Sequence, residues 1–120
     1  MAHTILLVED EPLLREVTSE DLQDLGFDTE CARDGEEAVG FLESDRPFVA
    51  LITDIRMPGQ LDGWHLAERA RELRPGIPVI YLSGYSEDGP QPVEGAVYVR
   101  KPYRISDIDS ALTKLGLKQP

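Results

Sequence analysis

Cysteine, histidine and aromatic side chains are scarce in this chain, and acids outnumber cations almost two to one. The single cysteine, Cys31, excludes an internal disulfide. The two histidines, His3 and His65, are too few and too far apart for a histidine metal pair. No apolar run approaches the roughly 18 residues that a membrane span needs, and no signal-peptide layout opens the chain. Lys and Arg total 12 against 23 Asp and Glu, for a net charge of −11. Such a surface repels the phosphates of nucleic acid. These absences predict a soluble, reduced, cytoplasmic protein with no direct nucleic-acid binding and no membrane attachment. What remains is a chain of 120 residues with 41% apolar content, enough for one packed domain over residues 1–120.

Apolar runs and amphipathic stretches alternate along it. HTILLV, His3 to Val8, reads as a buried parallel strand. Pro12 opens a helix at its first turn, with Leu14, Val17, Leu22 and Leu25 on one side and Gly26 as its stop. FDTECA, Phe27 to Ala32, is a second strand. Asp34 caps a helix that runs to about Ser44, with Ala38, Phe41 and Leu42 facing inward. FVALIT, Phe48 to Thr53, is the third and most apolar strand, closed by Asp54. After the loop IRMPGQLD comes a helix from about Gly63 to Arg74. Pro78 to Leu82 is a fourth strand and Val97 to Val99 a short fifth one. Ser106 with Asp109 resembles a capping box for a last helix. Strands alternating with helices predict a doubly wound parallel sheet of the flavodoxin-like order 2-1-3-4-5, with helices on both faces.

The pattern breaks once. SGYSEDGPQPVEGA, Ser83 to Ala96, lies where a further helix is due, yet it holds three glycines, two prolines and no apolar stripe. Pro90 and Pro92 oppose a continuous helix. A short, frayed or degenerate helix is expected there, mobile at rest.

In doubly wound sheets ligands bind at the carboxyl ends of the strands. Glu9, Asp10 and Glu11 follow the first strand, Asp54 the third, Ser83 the fourth, and Arg100 with Lys101 the fifth. Each has an ordinary reading taken singly: a helix start, a turn, a surface lysine. Together they converge on one edge. Two carboxylates about 4 Å apart repel by roughly 4 kcal/mol at an effective dielectric near 20, so such a cluster calls for a cation. Hard oxygen ligands favour a small divalent ion such as Mg²⁺. A metal, a lysine and a hydroxyl make a phosphoryl-binding set, and a carboxylate at its centre can act as nucleophile. Asp54, alone at the end of the most buried strand, is the best nucleophile candidate.

ILLVEDE, LITDIRMPG, PVIYLSG and VRKPY, in this order and spacing, resemble the receiver domain of two-component response regulators, over Thr4 to about Leu117. The resemblance implies a flavodoxin-like fold and phosphorylation of Asp54 by a sensor histidine kinase or a histidine phosphotransfer protein. It implies Mg²⁺ (or Mn²⁺) held by Asp10, Asp54 and the backbone carbonyl of Arg56, with Glu9 reaching the metal through water. It implies that Lys101 pairs with the phosphoryl group and that Ser83 donates its hydroxyl to it. Tyr98 matches the aromatic switch that turns inward on activation, and the Lys101–Pro102 bond is cis in the family. Such a chain accepts a phosphoryl group and is not a turnover enzyme.

Some positions depart from the pattern. Arg56 and Tyr85 are bulkier than is common beside the phosphoryl group, which predicts a long-lived aspartyl phosphate. MPGQLDGW is one residue longer than the usual loop. With the helix before the fifth strand degenerate, a monomer or weak dimer is expected. Met1 just before the first strand suggests a stand-alone regulator that works on a downstream protein. The alternatives are the receiver of a hybrid kinase, acting as relay or phosphate sink, and a Mg²⁺-dependent phosphatase with an aspartyl nucleophile. The phosphatase pattern carries a second aspartate two residues after the first, where this chain has Arg56. A flavin module would need a phosphate loop where this chain has the acidic EDE. His65 reads as a surface residue, Cys31 as core packing, and Trp64 as a helix-start packing residue that can report conformational change by fluorescence.

Overall fold

In the computed structural model, residues 3–57, 59–84 and 92–117 are described. Five parallel strands form one sheet: β1 (Thr4–Val8), β2 (Asp28–Ala32), β3 (Ala50–Asp54), β4 (Val79–Ser83) and β5 (Val97–Arg100), in the order β2-β1-β3-β4-β5. The helices are α1 (Pro12–Asp24), α2 (Gly35–Glu43), α3 (Gly63–Leu73) and α4 (Ile105–Lys114).

Successive strand residues point to opposite faces, so each strand feeds two cores. Leu6, Val8, Leu51, Val79 and Tyr81 pack under α2 and α3 with Leu42, Leu66 and Ala67. Ile5, Leu7, Ile52, Ile80 and Leu82 pack under α1 and α4 with Leu22, Ile108 and Leu112. Burial on both faces is why these strands read as continuous apolar runs.

The helix ends follow local chemistry. Asp34 accepts from the Glu37 N–H and Asp62 from the His65 N–H, capping α2 and α3. Gly26 adopts φ 98° just past α1, where only glycine sits without strain. The last helix departs from expectation. It begins at Ile105, ahead of Ser106, and the Asp107 carboxylate accepts from the Arg104 N–H at 2.8 Å. Asp107 reaches back to the Arg104 amide, and this sets the start two residues earlier than Ser106 with Asp109 would. β3 also runs one residue further than expected, through Asp54, because the following amide, Ile55 N–H, still bonds Leu82 O on β4. β4 likewise takes in Ser83.

The predicted degenerate helix and its mobility fall largely on residues 85–91, which lie outside the described residues, as does Tyr85. The described part of that connection, residues 92–96, is non-helical and tied to β4 and α3. The Val93 N–H donates to the Tyr81 hydroxyl at 3.2 Å, and Arg71 donates to Glu94 O at 2.8 Å and to Ile77 O at 2.7 Å. Among the described residues no helix is long and apolar enough to cross a membrane.

Candidate functional site

The register brings the strand-end residues together. Asp54 is paired with Leu82, one residue before Ser83, and Ser83 is paired with Arg100, one residue before Lys101. The Lys101 N–H donates to Ser83 O at 2.7 Å, so these two residues are joined through the backbone. Because the sheet is parallel, every strand delivers its C-terminal residue to the same edge.

At that edge the Lys101 ammonium lies 2.5 Å from Asp54 Oδ1 and 3.2 Å from Glu9 Oε2. Glu9 and Asp54 are buried, whereas Asp10 is exposed. Glu9 is held by its own loop: its carboxylate accepts from the Glu11 N–H, and its carbonyl accepts from the Arg15 guanidinium at 2.9 Å. Glu9, Asp10 and Asp54 each offer a carboxylate oxygen, all within 4.8 Å of one another.

Two buried carboxyls face one ammonium, so the fully ionised set carries an excess negative charge. Burial first, then the neighbouring Glu9 carboxyl, push Asp54 up to about 8, against the opposing pull of Lys101. Burial and Glu9 thus favour a proton on Asp54, while the Lys101 ammonium 2.5 Å away favours its charge; one lysine cannot neutralise two buried acids. Burial works against the Lys101 charge, but its contacts with Asp54 and Glu9 outweigh this and hold it above its ordinary value. Asp54 Oδ2 is buried and accepts no hydrogen bond from the described residues. A buried carboxylate oxygen without a donor, inside a three-carboxylate cluster, fits a hard divalent cation.

The other expected residues are placed as follows. Arg56 is exposed, two residues beyond Asp54. Tyr98 is 46% exposed on β5. It is paired in register with Tyr81, its ring 5.3 Å from that of Tyr81 and 6.2 Å from that of buried Trp64. The Lys101–Pro102 bond is cis. Cys31 is partly buried against the α1/α4 core, and His65 is exposed beside Asp62.

Three contacts escaped sequence reasoning. Arg15 holds the Glu9 carbonyl. The hydroxyls of buried Thr18 and Tyr103 meet at 2.5 Å, tying α1 to the turn after Lys101. Gly63, the first residue of α3, lies against the backbone of Asp54. Only the last had a sequence signal, a glycine directly after the capping Asp62.

The family model for the response regulator receiver domain matches residues 5–113. The chain is 30% identical over 116 residues to the response regulator receiver protein CpdR of Brucella abortus (strain 2308), covering 92% of this chain and 94% of the relative. It is 36% identical over 115 residues to the positive alginate biosynthesis regulatory protein of Pseudomonas aeruginosa, of which it spans 46%. Of the nitrogen assimilation regulatory protein NtrX of Azorhizobium caulinodans it spans 19%. Among solved structures, a response regulator receiver protein from Sinorhizobium medicae WSM419 superposes with a TM-score of 0.86 at 31% identity, over 98% of both chains. The receiver domain of the hybrid histidine kinase CckA does so with a TM-score of 0.80 at 34% identity, over 96% of this chain and 99% of that one. With its 2-1-3-4-5 sheet and its acid-and-lysine strand edge, the chain belongs to the response regulator receiver domain family.

Proposed function

We propose that this chain is a phosphoryl acceptor of two-component signalling, with Asp54 as the acceptor. One observation carries the reading: the Lys101 ammonium 2.5 Å from a buried Asp54 whose second oxygen has no donor among the described residues. In the transfer, an Asp54 carboxylate oxygen attacks the phosphorus of a phosphohistidine on a sensor kinase or phosphotransfer protein. The P–N bond breaks, its electron pair stays with the imidazole, and that imidazole takes up a proton. Asp54 is left as an acyl phosphate.

Asp10, Asp54 and the Arg56 carbonyl, with Glu9 through a water, are the residues that would hold Mg²⁺ or Mn²⁺. Bound there, the ion supplies positive charge against the phosphoryl oxygens. Lys101 leaves its carboxylate partners to pair with the phosphoryl group, and Ser83 donates its hydroxyl to it. Tyr98 then turns toward the space that Ser83 leaves, so a local charge change biases a packed element. The output passes to a downstream protein in the cytoplasm, and the chain turns over no substrate beyond slow loss of its own phosphate.

The test is Mg²⁺-dependent labelling by a small phosphodonor such as acetyl phosphate. Labelling that chelation and Asp54→Asn both abolish supports the reading. Label retained by Asp54→Asn sinks it, and sustained release of phosphate from an added phosphomonoester would favour a phosphatase. The similarity to the CckA receiver domain supports a second reading, a relay or phosphate sink within a hybrid kinase system. Passage of label from Asp54 to a histidine phosphotransfer protein, with no effect on a downstream target, would select it.

A further inference from the structure

We propose that Gly63 is a positioning residue for Asp54: with the Thr53 hydroxyl it seats the Asp54 backbone carbonyl and thereby aims the carboxylate. The inference rests on the reading of Asp54 as phosphoryl acceptor. Gly63 opens α3, and its N–H donates to Ile55 O at 2.6 Å. This draws the helix start down onto the last residue of β3. A Cβ at Gly63 would lie 2.1 Å from Asp54 O, 2.6 Å from Ile55 Cα and 2.9 Å from the Asp54 carbonyl carbon. All three atoms are backbone, so no rotamer change relieves the overlap. Any side chain at 63 must lift the helix or displace Asp54.

The same carbonyl has a second contact. The buried Thr53 hydroxyl donates to Asp54 O at 2.8 Å. The Asp54 carbonyl thus meets both a hydroxyl and a bare Cα. The carboxylate is two bonds from that peptide, so a tilt of the peptide moves its oxygens directly. The far end of the loop is fastened too, with the Gln60 N–H donating to the Glu36 carboxylate at 2.9 Å. A displacement forced at Gly63 is therefore passed, at least in part, to the Asp54 peptide that it touches. Gly40, in α2, has nothing within 4 Å of a Cβ and shows that not every helical glycine here is sterically required.

The experiment compares initial rates of labelling from acetyl phosphate at saturating Mg²⁺. Wild type, Gly63→Ala, Thr53→Val and two controls, Gly40→Ala and Ile108→Val, are measured, each with its melting temperature. Ile108 is buried on the inner face of α4, in the core under α1 and α4, and supplies a destabilisation without a Cβ against the Asp54 backbone. We expect Gly63→Ala to remain folded and to label roughly 10- to 100-fold more slowly, the scale of a small misplacement of a reacting group. Thr53→Val should show a smaller loss, and both controls should label at the wild-type rate. Folded Gly63→Ala that labels at the wild-type rate overturns the proposal, as does Ile108→Val slowed to the same extent. Should Gly63→Ala fail to fold, Thr53→Val decides: a slowed rate supports the proposal and an unchanged one overturns it. Absence of label on the wild type, or label surviving Asp54→Asn, would instead remove the acceptor reading, a distinct outcome.

Discussion

The Lys101 ammonium rests 2.5 Å from Asp54 Oδ1, joining the turn after the edge strand β5 to the end of the central strand β3. Lys101 ion-pairs with both Glu9 and Asp54. Lys101→Met should therefore leave two buried carboxyls facing each other. We expect a loss of about 3 kcal/mol at pH 9 in chelator, the low end for a broken buried pair because Lys101 is partly open to solvent. At pH 5, below the Asp54 value of about 8, the loss should shrink. Urea unfolding at the two pH values checks this, and an equal loss at both would refute it.

Asp54 links stability to pH. Its folded value, about 8, lies above its ordinary 3.8. A raised value means that the folded state holds a proton that the unfolded state releases. Its contribution is complete below about 3.8 and is lost as pH rises through about 8. The melting temperature of the chelator-treated chain should fall across that window relative to Asp54→Asn, which has no such proton to lose. A constant difference between the two proteins across the window would exclude it.

Divalent-ion binding has the matching signature. An ion that takes the Asp54 carboxylate must displace its proton, so Mg²⁺ uptake should release protons below about pH 8. Apparent Mg²⁺ affinity should rise with pH up to that point and level off above it. Titration calorimetry in two buffers of different ionisation heat reads the proton count.

The Tyr81 hydroxyl accepts the Val93 N–H and so pins the last part of the connection into β5. Tyr81→Phe keeps the ring stacked but leaves that amide unpaired. A cost of about 1 kcal/mol is expected, with faster hydrogen exchange at Val93 and little change in the central strands. Exchange that rises uniformly across the sheet would mean that the hydroxyl has no local role.

Trp64 sits beside both rings of the Tyr81–Tyr98 pair, 4.9 Å from the first and 6.2 Å from the second. If Tyr98 turns inward on phosphorylation, Mg²⁺ with beryllofluoride should shift Trp64 emission. Tyr98→Leu should abolish most of the shift while beryllofluoride still binds. A full shift in Tyr98→Leu would separate the tryptophan signal from Tyr98.

Much of this was legible in the chain. The cap Asp34, the turn at Gly26 and the strands buried on both faces depend on near neighbours and on side-chain period. The strand-end acids and Lys101 were legible for the same reason, because parallel strands bring their C-terminal residues to one edge. The start of α4 was not, since Arg104–Asp107 and Ser106–Asp109 both offer a carboxylate three residues on, and the fold places the helix start at the first pair. The split within the EDE run was equally hidden. Nothing in adjacent letters says that Glu9 turns inward to Lys101 while Asp10 stays exposed.

Local pattern thus settled the sheet, its order and the edge at which the polar residues gather, because period, caps and chirality act over a few residues. Tertiary packing alone decided the contacts that give the edge its chemistry. The closeness of Lys101 to Asp54, the Thr18–Tyr103 hydroxyl pair and the seat of Gly63 on the Asp54 carbonyl join residues distant in sequence or across a turn. Their distances are set by how closely helices and strands approach, a quantity fixed by the volume of the whole core.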